Sequence, residues 1–147
     1  MSAEIWLYHL RQNGYRLTPA RRAVVQTVAA SPRAITPLQV YDTARRRHRA
    51  LGLVSVYRTL EKLEELGLIQ RVHQPEGCQA FVSASNGHQH LLLCRQCGRT
   101  AYFEGDDLQA LIRSISRRTG YAIAEHWLQL FGLCQDCQPR VRAGDAA

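Results

Sequence analysis

Two Cys-x-x-Cys pairs near the end of the chain are the feature that most restricts its fold. They are Cys94-Arg95-Gln96-Cys97 and Cys134-Gln135-Asp136-Cys137, and 36 residues (98–133) separate them. Four thiolates complete the tetrahedral coordination of a structural zinc ion. In a reducing compartment such pairs indicate a metal rather than a disulfide. Because the separation exceeds that of a compact zinc ribbon, a whole subdomain has to fit between the pairs.

The segment between the pairs predicts a β-α-β unit. Residues 99–103 and 121–131 have the composition of strands. A helix opens at about residue 105 and ends at Gly120, and its apolar residues recur at helical spacing. They are Leu108, Leu111, Ile112 and Ile115. The sequence of the second half therefore predicts an α/β domain whose two ends are held together by a zinc ion.

The excess of positive over negative charge lies entirely in the first half of the chain. Residues 1–74 hold eleven Arg and one Lys against five acidic residues, a net charge of +7, and residues 75–147 hold seven of each sign. A basic half joined to a neutral half is typical of a polyanion-binding module attached to another domain. A solvated, arginine-rich surface is the alternative.

The first half predicts three main helices after a shorter one over residues 3–13. Thr18-Pro19 and Thr36-Pro37 each combine a capping side chain with a proline at the first helical position. The second of these helices ends in the basic run Arg45–Arg49. We expect Ser55 to cap the third helix and Gly67 to end it.

A hairpin follows the third helix. Residues 68–73 and 78–83 read as short strands around the turn at residues 74–77. Three helices followed by a hairpin predict a winged helix-turn-helix domain, whose third helix enters the major groove of DNA.

The first turns of that helix offer four side chains for DNA contacts. They are Ser55, Tyr57, Arg58 and Thr59. Arginine can bind guanine through two hydrogen bonds, tyrosine can contact a thymine methyl group or a phosphate, and hydroxyls bind phosphate. The alternative is that Tyr57 is half-buried and Arg58 is an ordinary surface charge.

Three histidines suggest a second metal site. His88 and His90 have the same parity, so on a strand both point to one face. His126, which we place in the middle of the last predicted strand, could complete the set. Structural packing is the alternative for each histidine.

Several classes of protein are disfavoured. No run of 18 apolar residues is present, and residues 1–13 lack the pattern of a secretory signal. We therefore expect a cytoplasmic protein that does not interact with membranes. Three His and a Cys could hold a catalytic zinc, but no general base or substrate pocket is apparent. We expect neither an enzyme nor a small-molecule substrate.

Taken together, these motifs resemble those of the ferric uptake regulator family of bacterial metal-dependent repressors, from about residue 5 to residue 138. The shared elements are Leu17-Thr18-Pro19-x-Arg21, Ser55-Val56-Tyr57-Arg58-Thr59-Leu60, His88-x-His90, Cys94-x-x-Cys97-Gly98 and Cys134-x-x-Cys137. Each motif is common alone, but their order and spacing are specific to the family.

The resemblance implies an α+β protein with two domains. Residues 1–84 form the winged helix-turn-helix domain, with the wing at about 68–84. Residues 85–138 form the α/β dimerisation and metal-binding domain, and 139–147 form a disordered tail. It further implies a homodimer that binds double-stranded DNA at AT-rich inverted repeats when a sensory metal is present.

Individual residues carry over by position. Tyr57 and Arg58 correspond to major-groove contacts, and Arg16 corresponds to a basic residue that enters a narrow, AT-rich minor groove. The four cysteines correspond to the structural zinc site.

The sensory sites correspond less completely. His88, His90 and His126 fit one family site, but Gln109 stands where the family has an acidic residue, and Glu104 or Asp107 is a substitute. The family's hinge site is not matched. Its positions correspond to non-ligating residues, namely Ala34, Val82, Gln89 and Leu91.

Cys78 is a candidate for a rebuilt sensory site, with His73 across the wing turn as a partner. Zinc-sensing members of the family often use a cysteine in the sensory site near the second wing strand, although Cys78, 16 residues before Cys94, does not align with that position. Thiolate with imidazole favours zinc over iron and manganese. The alternative is that Cys78 is a small buried hydrophobic residue.

We therefore expect a zinc-responsive repressor of metal-homeostasis genes, of the zinc uptake regulator type, with Fe²⁺ or Mn²⁺ as alternative regulatory metals. An iron- or peroxide-responsive member of the family, or a metal-independent DNA-binding regulator, is the alternative function.

Overall fold

The computed structural model describes residues 2–73, 79–84, 89–104, 108–126 and 128–138. The chain divides into two units, Met1–Ala84 and Ser85–Ala147. The described part contains helices and two small sheets, an α+β fold. None of its helices has the length and apolar character needed to cross a membrane.

Local capping signals position the helices of the first unit. They are α1 (Ala3–Gln12), α2 (Pro19–Ala29), α3 (Pro37–Ala44) and α4 (Leu53–Glu65). The predicted helix starts at Thr18 and Thr36 are confirmed. Thr18 accepts a hydrogen bond from the Arg21 amide at 3.2 Å, and Thr36 forms a reciprocal capping box with Gln39.

The predicted start of α4 at Ser55 is wrong. The helix begins at Leu53 with Gly52 as its N-cap residue, and no side chain caps it. The carbonyl of Gly52 already accepts a hydrogen bond from the Ser55 amide at 3.0 Å. Because Ser55 lies inside the first turn, its hydroxyl is left on the helix surface.

Apolar faces of the four helices meet in one core. Its largest fully buried members are Trp6, Leu10, Val24, Val25, Val28, Val40, Val56, Leu60, Leu63 and Ile69. Each such side chain contributes about 1.5–3 kcal/mol through its removal from water. This core fixes which face of α4 is turned inward.

The hairpin of the first unit pairs antiparallel and completes a winged helix-turn-helix fold. β1 (Ile69–His73) and β2 (Gln79–Ser83) pair with Ile69 opposite Ser83 and His73 opposite Gln79. Two backbone hydrogen bonds of 2.9 Å join Ile35 and Phe81, so the hairpin is anchored to the segment before α3.

The second unit is an α/β domain. It contains β3 (Gln89–Cys94), β4 (Thr100–Glu104), α5 (Leu108–Thr119) and β5 (Gln129–Gly132). The strand order is β4-β3-β5, in which β3 is antiparallel to β4 and parallel to β5.

The predicted strand over residues 121–131 is mostly wrong, because only its end lies in β5. The ladder with β3 begins at Leu91 opposite Gln129 and ends at Cys94 opposite Gly132. Residues 121–126 have no partner strand in the described part of the chain, so His126 does not lie on a strand. The predicted tail at 139–147 lies outside the described residues.

Candidate metal centre and nucleic-acid interface

The N-terminal half of α4 presents an exposed face. Tyr57 is 45% exposed, and Ser55 and Arg58 are also exposed. Val56 and Leu60 are buried on the opposite side of the helix. The helical period therefore leaves a hydroxyl, a phenol and a guanidinium directed away from the core.

The prediction that Thr59 is exposed is wrong. Its side chain is 2% exposed, and its hydroxyl donates a 2.7 Å hydrogen bond to the carbonyl of Ser55 one turn earlier. Thr59 follows Val56 by three residues, so it shares the inward face. Thr59 therefore supports the helix and does not face the solvent.

Arg16 lies in the short segment between α1 and α2, and its side chain is exposed. The carbonyl of Arg16 accepts hydrogen bonds from the Thr18 amide at 3.2 Å and from the Arg21 guanidinium. Its backbone is thus held while its charged side chain extends into the solvent.

The four paired cysteines converge in the second unit. One candidate ligand atom from each of Cys94, Cys97, Cys134 and Cys137 lies within 4.8 Å of all the others. Among the described residues this is the one such group of three or more metal-ligating side chains. Cys94 is buried and the other three are partly buried, so the cluster is partly shielded from bulk water.

Backbone turns place both pairs. Cys94 ends β3, and its carbonyl accepts a 2.9 Å hydrogen bond from Gly98, whose φ of +71° suits glycine. The carbonyl of Cys134, just after β5, accepts 2.9 Å hydrogen bonds from Cys137 and Gln138. Since β3 and β5 are parallel neighbours, their ends bring the two turns together.

The thiol pKa values favour metal binding at Cys94. The Cys134 amide donates a 3.3 Å hydrogen bond to the Cys94 sulfur. This bond is the main reason that the pKa of Cys94 is lowered to about 6. The side-chain hydrogen bond with Cys134 raises the pKa of Cys137 to about 12. A metal ion would have to displace the Cys137 proton, because the thiolate is the ligand.

The cluster fits a zinc ion. Sulfur atoms at about 2.3 Å from a tetrahedral zinc lie roughly 3.8 Å from one another. The Sγ atoms of Cys97 and Cys134 are 3.6 Å apart. All four donors are soft sulfur atoms, the set expected of a closed structural zinc site.

Sequence reasoning missed an ion pair beside the cysteines. The Arg99 guanidinium lies 2.6 Å from the carboxylate of Asp136. Asp136 sits inside the second Cys-x-x-Cys motif, and Arg99 follows the first by two positions. Opposite charges at these offsets are the signal that could have suggested the pair.

His90 and His126 are close together within the second unit. Their ring centroids are 5.3 Å apart, and His90 is 5% exposed. The His90 ring also lies 5.4 Å from the Phe103 ring, so it takes part in apolar packing.

The strand register separates Glu104 from His90. His90 pairs with Phe103, whereas Glu104 pairs with Gln89 one residue further along. Neighbouring residues of a strand point to opposite faces. Glu104 therefore lies on the other face of the sheet, and the prediction that it joins His90 in a metal site is not supported.

The remaining predicted sensory ligands are His88, Cys78, Asp107 and His73. His88, Cys78 and Asp107 lie outside the described residues, as does the side chain of His73. Gln109 lies in the first turn of α5.

Comparisons with known proteins agree in the family they indicate. Residues 12–131 match the model of the ferric uptake regulator family. A ferric uptake regulation protein of Cupriavidus metallidurans is 32% identical over 136 residues, covering 90% of this chain and 95% of that protein. A peroxide-responsive repressor of Staphylococcus saprophyticus is 25% identical over 131 residues, covering 89% of this chain and 88% of that protein.

A solved structure shares the fold. It is a zinc uptake regulator in complex with zinc and DNA, with a TM-score of 0.69 and 21% identity. The alignment covers 92% of this chain and 91% of that one. The names of these three proteins mention iron, peroxide and zinc, so the comparisons leave the regulatory signal open.

Proposed function

The chain belongs to the ferric uptake regulator family of transcriptional regulators, and we propose that it is a zinc-responsive, cytoplasmic repressor of metal-homeostasis genes. The observation that carries this proposal is the pairing of two features in one chain. One is a winged helix-turn-helix unit whose α4 exposes Tyr57 and Arg58. The other is a pair of histidines, His90 and His126, whose ring centroids lie 5.3 Å apart in the same unit as a cluster of four cysteines that fits a structural zinc.

In this proposal the first unit binds double-stranded DNA. Arg58 forms two hydrogen bonds to a guanine in the major groove, Tyr57 contacts a thymine methyl group or a phosphate, and Ser55 binds phosphate. Arg16 enters the minor groove of an AT-rich flank, where the negative potential is strongest. The net charge of +7 in residues 1–74 supplies attraction that falls with salt.

We propose that the second unit forms a homodimer and that the zinc at the four cysteines has a structural role. In the described residues of α5 no side chain is buried, and Leu111 is 54% exposed. Further large apolar side chains of this unit are exposed, namely Leu92, Ile115, Tyr121, Leu130 and Leu133. A second copy would cover these exposed apolar side chains.

A twofold dimer also explains how two half-sites are read. Two copies of α4 have to reach successive major grooves together, so an inverted repeat is the matching DNA. A metal ion that binds more tightly to the DNA-competent state of the protein raises the affinity of the protein for DNA. A coupling free energy of about 1–3 kcal/mol between metal binding and DNA binding corresponds to a rise in DNA affinity of roughly 5–150-fold.

We assign the regulatory ion to His90 and His126, together with His88. Two imidazoles bound to one zinc at about 2.0–2.1 Å place their centroids roughly 5 Å apart, close to the separation of these rings. Cys78 is proposed as the soft ligand that favours zinc, and His73 as its alternative partner.

A metal titration of DNA binding tests this function. The protein first selects duplexes from a random library in separate reactions with Zn²⁺, Fe²⁺ and Mn²⁺. Affinity for the selected duplex is then measured against buffered free Zn²⁺, Fe²⁺ and Mn²⁺. We expect Zn²⁺ to raise the DNA affinity at a lower free concentration than Fe²⁺ or Mn²⁺ does. A rise with Fe²⁺ or Mn²⁺ alone would assign an iron or manganese response, and equal binding in metal-free buffer would indicate a metal-independent regulator.

A further inference from the structure

Both ends of the segment that carries Arg16 are fixed by helix caps. The Tyr15 amide donates to the Leu10 carbonyl at 3.0 Å and the Gly14 amide donates to the Arg11 carbonyl at 3.1 Å, which ends α1 in a Schellman motif. Gly14 has the positive φ, +80°, that this motif requires. Thr18 caps α2, so only residues 15–17 lie between the caps.

Arg21 is partly buried, and its guanidinium contacts other groups of the protein. Its guanidinium donates to the carbonyl of Arg16, and its guanidinium carbon lies 5.8 Å from the centroid of the Tyr15 ring. The first contact is a charge-assisted hydrogen bond and the second is a cation–π contact. The adjacent Arg22, by contrast, is exposed.

Tyr15 connects the same segment to α4. The Lys62 ammonium lies 5.6 Å from the centroid of the Tyr15 ring, and the Tyr15 hydroxyl donates to the Glu65 carboxylate at 3.4 Å. Lys62 and Glu65 form an ion pair of 2.9 Å on α4. The Tyr15 ring therefore contacts Arg21 of α2 and Lys62 of α4.

We infer that Tyr15 and Arg21 are positioning residues that hold Arg16 at a fixed place relative to α4. This inference rests on the proposed function, in which Arg16 enters a minor groove while α4 lies in the major groove. The two contacts have to be made together on one duplex. Because the backbone at Arg16 is already held in place, it loses less conformational freedom when the protein binds DNA. The affinity for DNA and the preference for AT-rich flanks are therefore both higher.

If Arg21 positions Arg16, substitution of Arg21 weakens DNA binding only while Arg16 is present. A double-mutant cycle isolates such an effect, because the second substitution costs nothing once its partner is absent. The variants are Arg16→Ala, Arg21→Ala and the double variant, with Arg22→Ala as the matched control. The probes are the duplex selected by the zinc-loaded wild-type protein and the same duplex with its flanking A·T pairs replaced by G·C pairs.

We expect Arg21→Ala to weaken binding of the AT-flanked duplex by about three- to tenfold in the wild-type background and by less than about twofold in the Arg16→Ala background. Arg21→Ala should also reduce the preference for the AT-flanked over the GC-flanked duplex in the wild-type background. Arg22→Ala should change the flank preference little. Binding is measured well below the thermal midpoint of every variant, so that loss of folded protein does not contribute.

Two conservative variants separate positioning from general support of the fold. Tyr15→Phe keeps the ring and should retain most of the flank preference, whereas Tyr15→Leu removes the ring and should lose it. Equal losses from Arg21→Ala in both backgrounds, or on both duplexes, would overturn the inference. If the zinc-loaded wild-type protein selects no duplex, the proposed function itself fails, which is a different result.

Discussion

Arg99 and Asp136 form an ion pair of 2.6 Å that joins the two Cys-x-x-Cys turns. The hydrogen bond to Asp136, followed by the charges of Asp136 and Cys134, raises the pKa of Arg99. Both side chains are substantially exposed, so their contribution to folding stability is small. Their position suggests an effect on zinc release, because opening the site requires the turns to separate.

Asp136→Asn should release the structural zinc about two- to fivefold faster than the wild type. This range corresponds to the roughly 0–1 kcal/mol of an exposed ion pair. The release rate is measured with a coloured chelator in excess. Glu64→Gln is the matched control, because it removes the Arg71–Glu64 pair of 2.7 Å in the first unit. Identical release from all three proteins would contradict a role for the pair.

Cys94→Ser should lose the tightly bound zinc and unfold or monomerise the second unit. Metal binding at a structural site contributes directly to folding free energy. Zinc content, the circular dichroism spectrum and sedimentation report the three effects. Cys78→Ser serves as the control, because it leaves the four-cysteine cluster intact. A wild-type protein that is a folded dimer without any bound metal would refute the assignment.

Arg58→Ala should weaken binding of the selected duplex by about 1–3 kcal/mol and relax discrimination at one base position in each half-site. The reason is the loss of two hydrogen bonds to a base edge. Binding is measured with a panel of duplexes that differ at single positions. An equal loss on random DNA would instead make Arg58 a phosphate contact.

His126→Ala should abolish binding of a second divalent ion while the zinc at the four cysteines stays in place. The 5.3 Å separation of the His90 and His126 rings is the basis of this prediction. Isothermal titration of the zinc-loaded protein counts the remaining sites. Unchanged stoichiometry and affinity in His126→Ala would assign His126 to packing.

Cys78→Ser should preserve folding and dimerisation, yet require more free zinc for DNA binding. The substitution replaces a soft ligand with a hard one of nearly the same size, so the preference for zinc over iron should also shrink. Operator affinity is measured against buffered free zinc and iron. Superimposable curves for the variant and the wild type would leave Cys78 as a packing residue of the wing.

Local chemistry was enough to predict much of the fold. Thr18-Pro19 and Thr36-Pro37 begin helices because capping and proline geometry act within a few residues. The spacing of the Cys-x-x-Cys pairs indicated four converging sulfur atoms for a similar reason. Each pair forms its own turn, and zinc chemistry supplies the remaining constraint.

Tertiary contacts decided what local patterns could not. Thr59 is buried because α4 turns that position toward a core built from three other helices. His126 lies outside β5, whose ladder with β3 runs from Gln129 to Gly132. Glu104 and His90 lie on opposite faces because of a register between two strands. Arg21 is partly buried and donates a hydrogen bond to the Arg16 carbonyl, whereas Arg22 beside it is exposed. The helical or strand period of the sequence predicts on which side of its own element a side chain lies. The residues that this side chain contacts depend on packing between elements that are far apart in the chain.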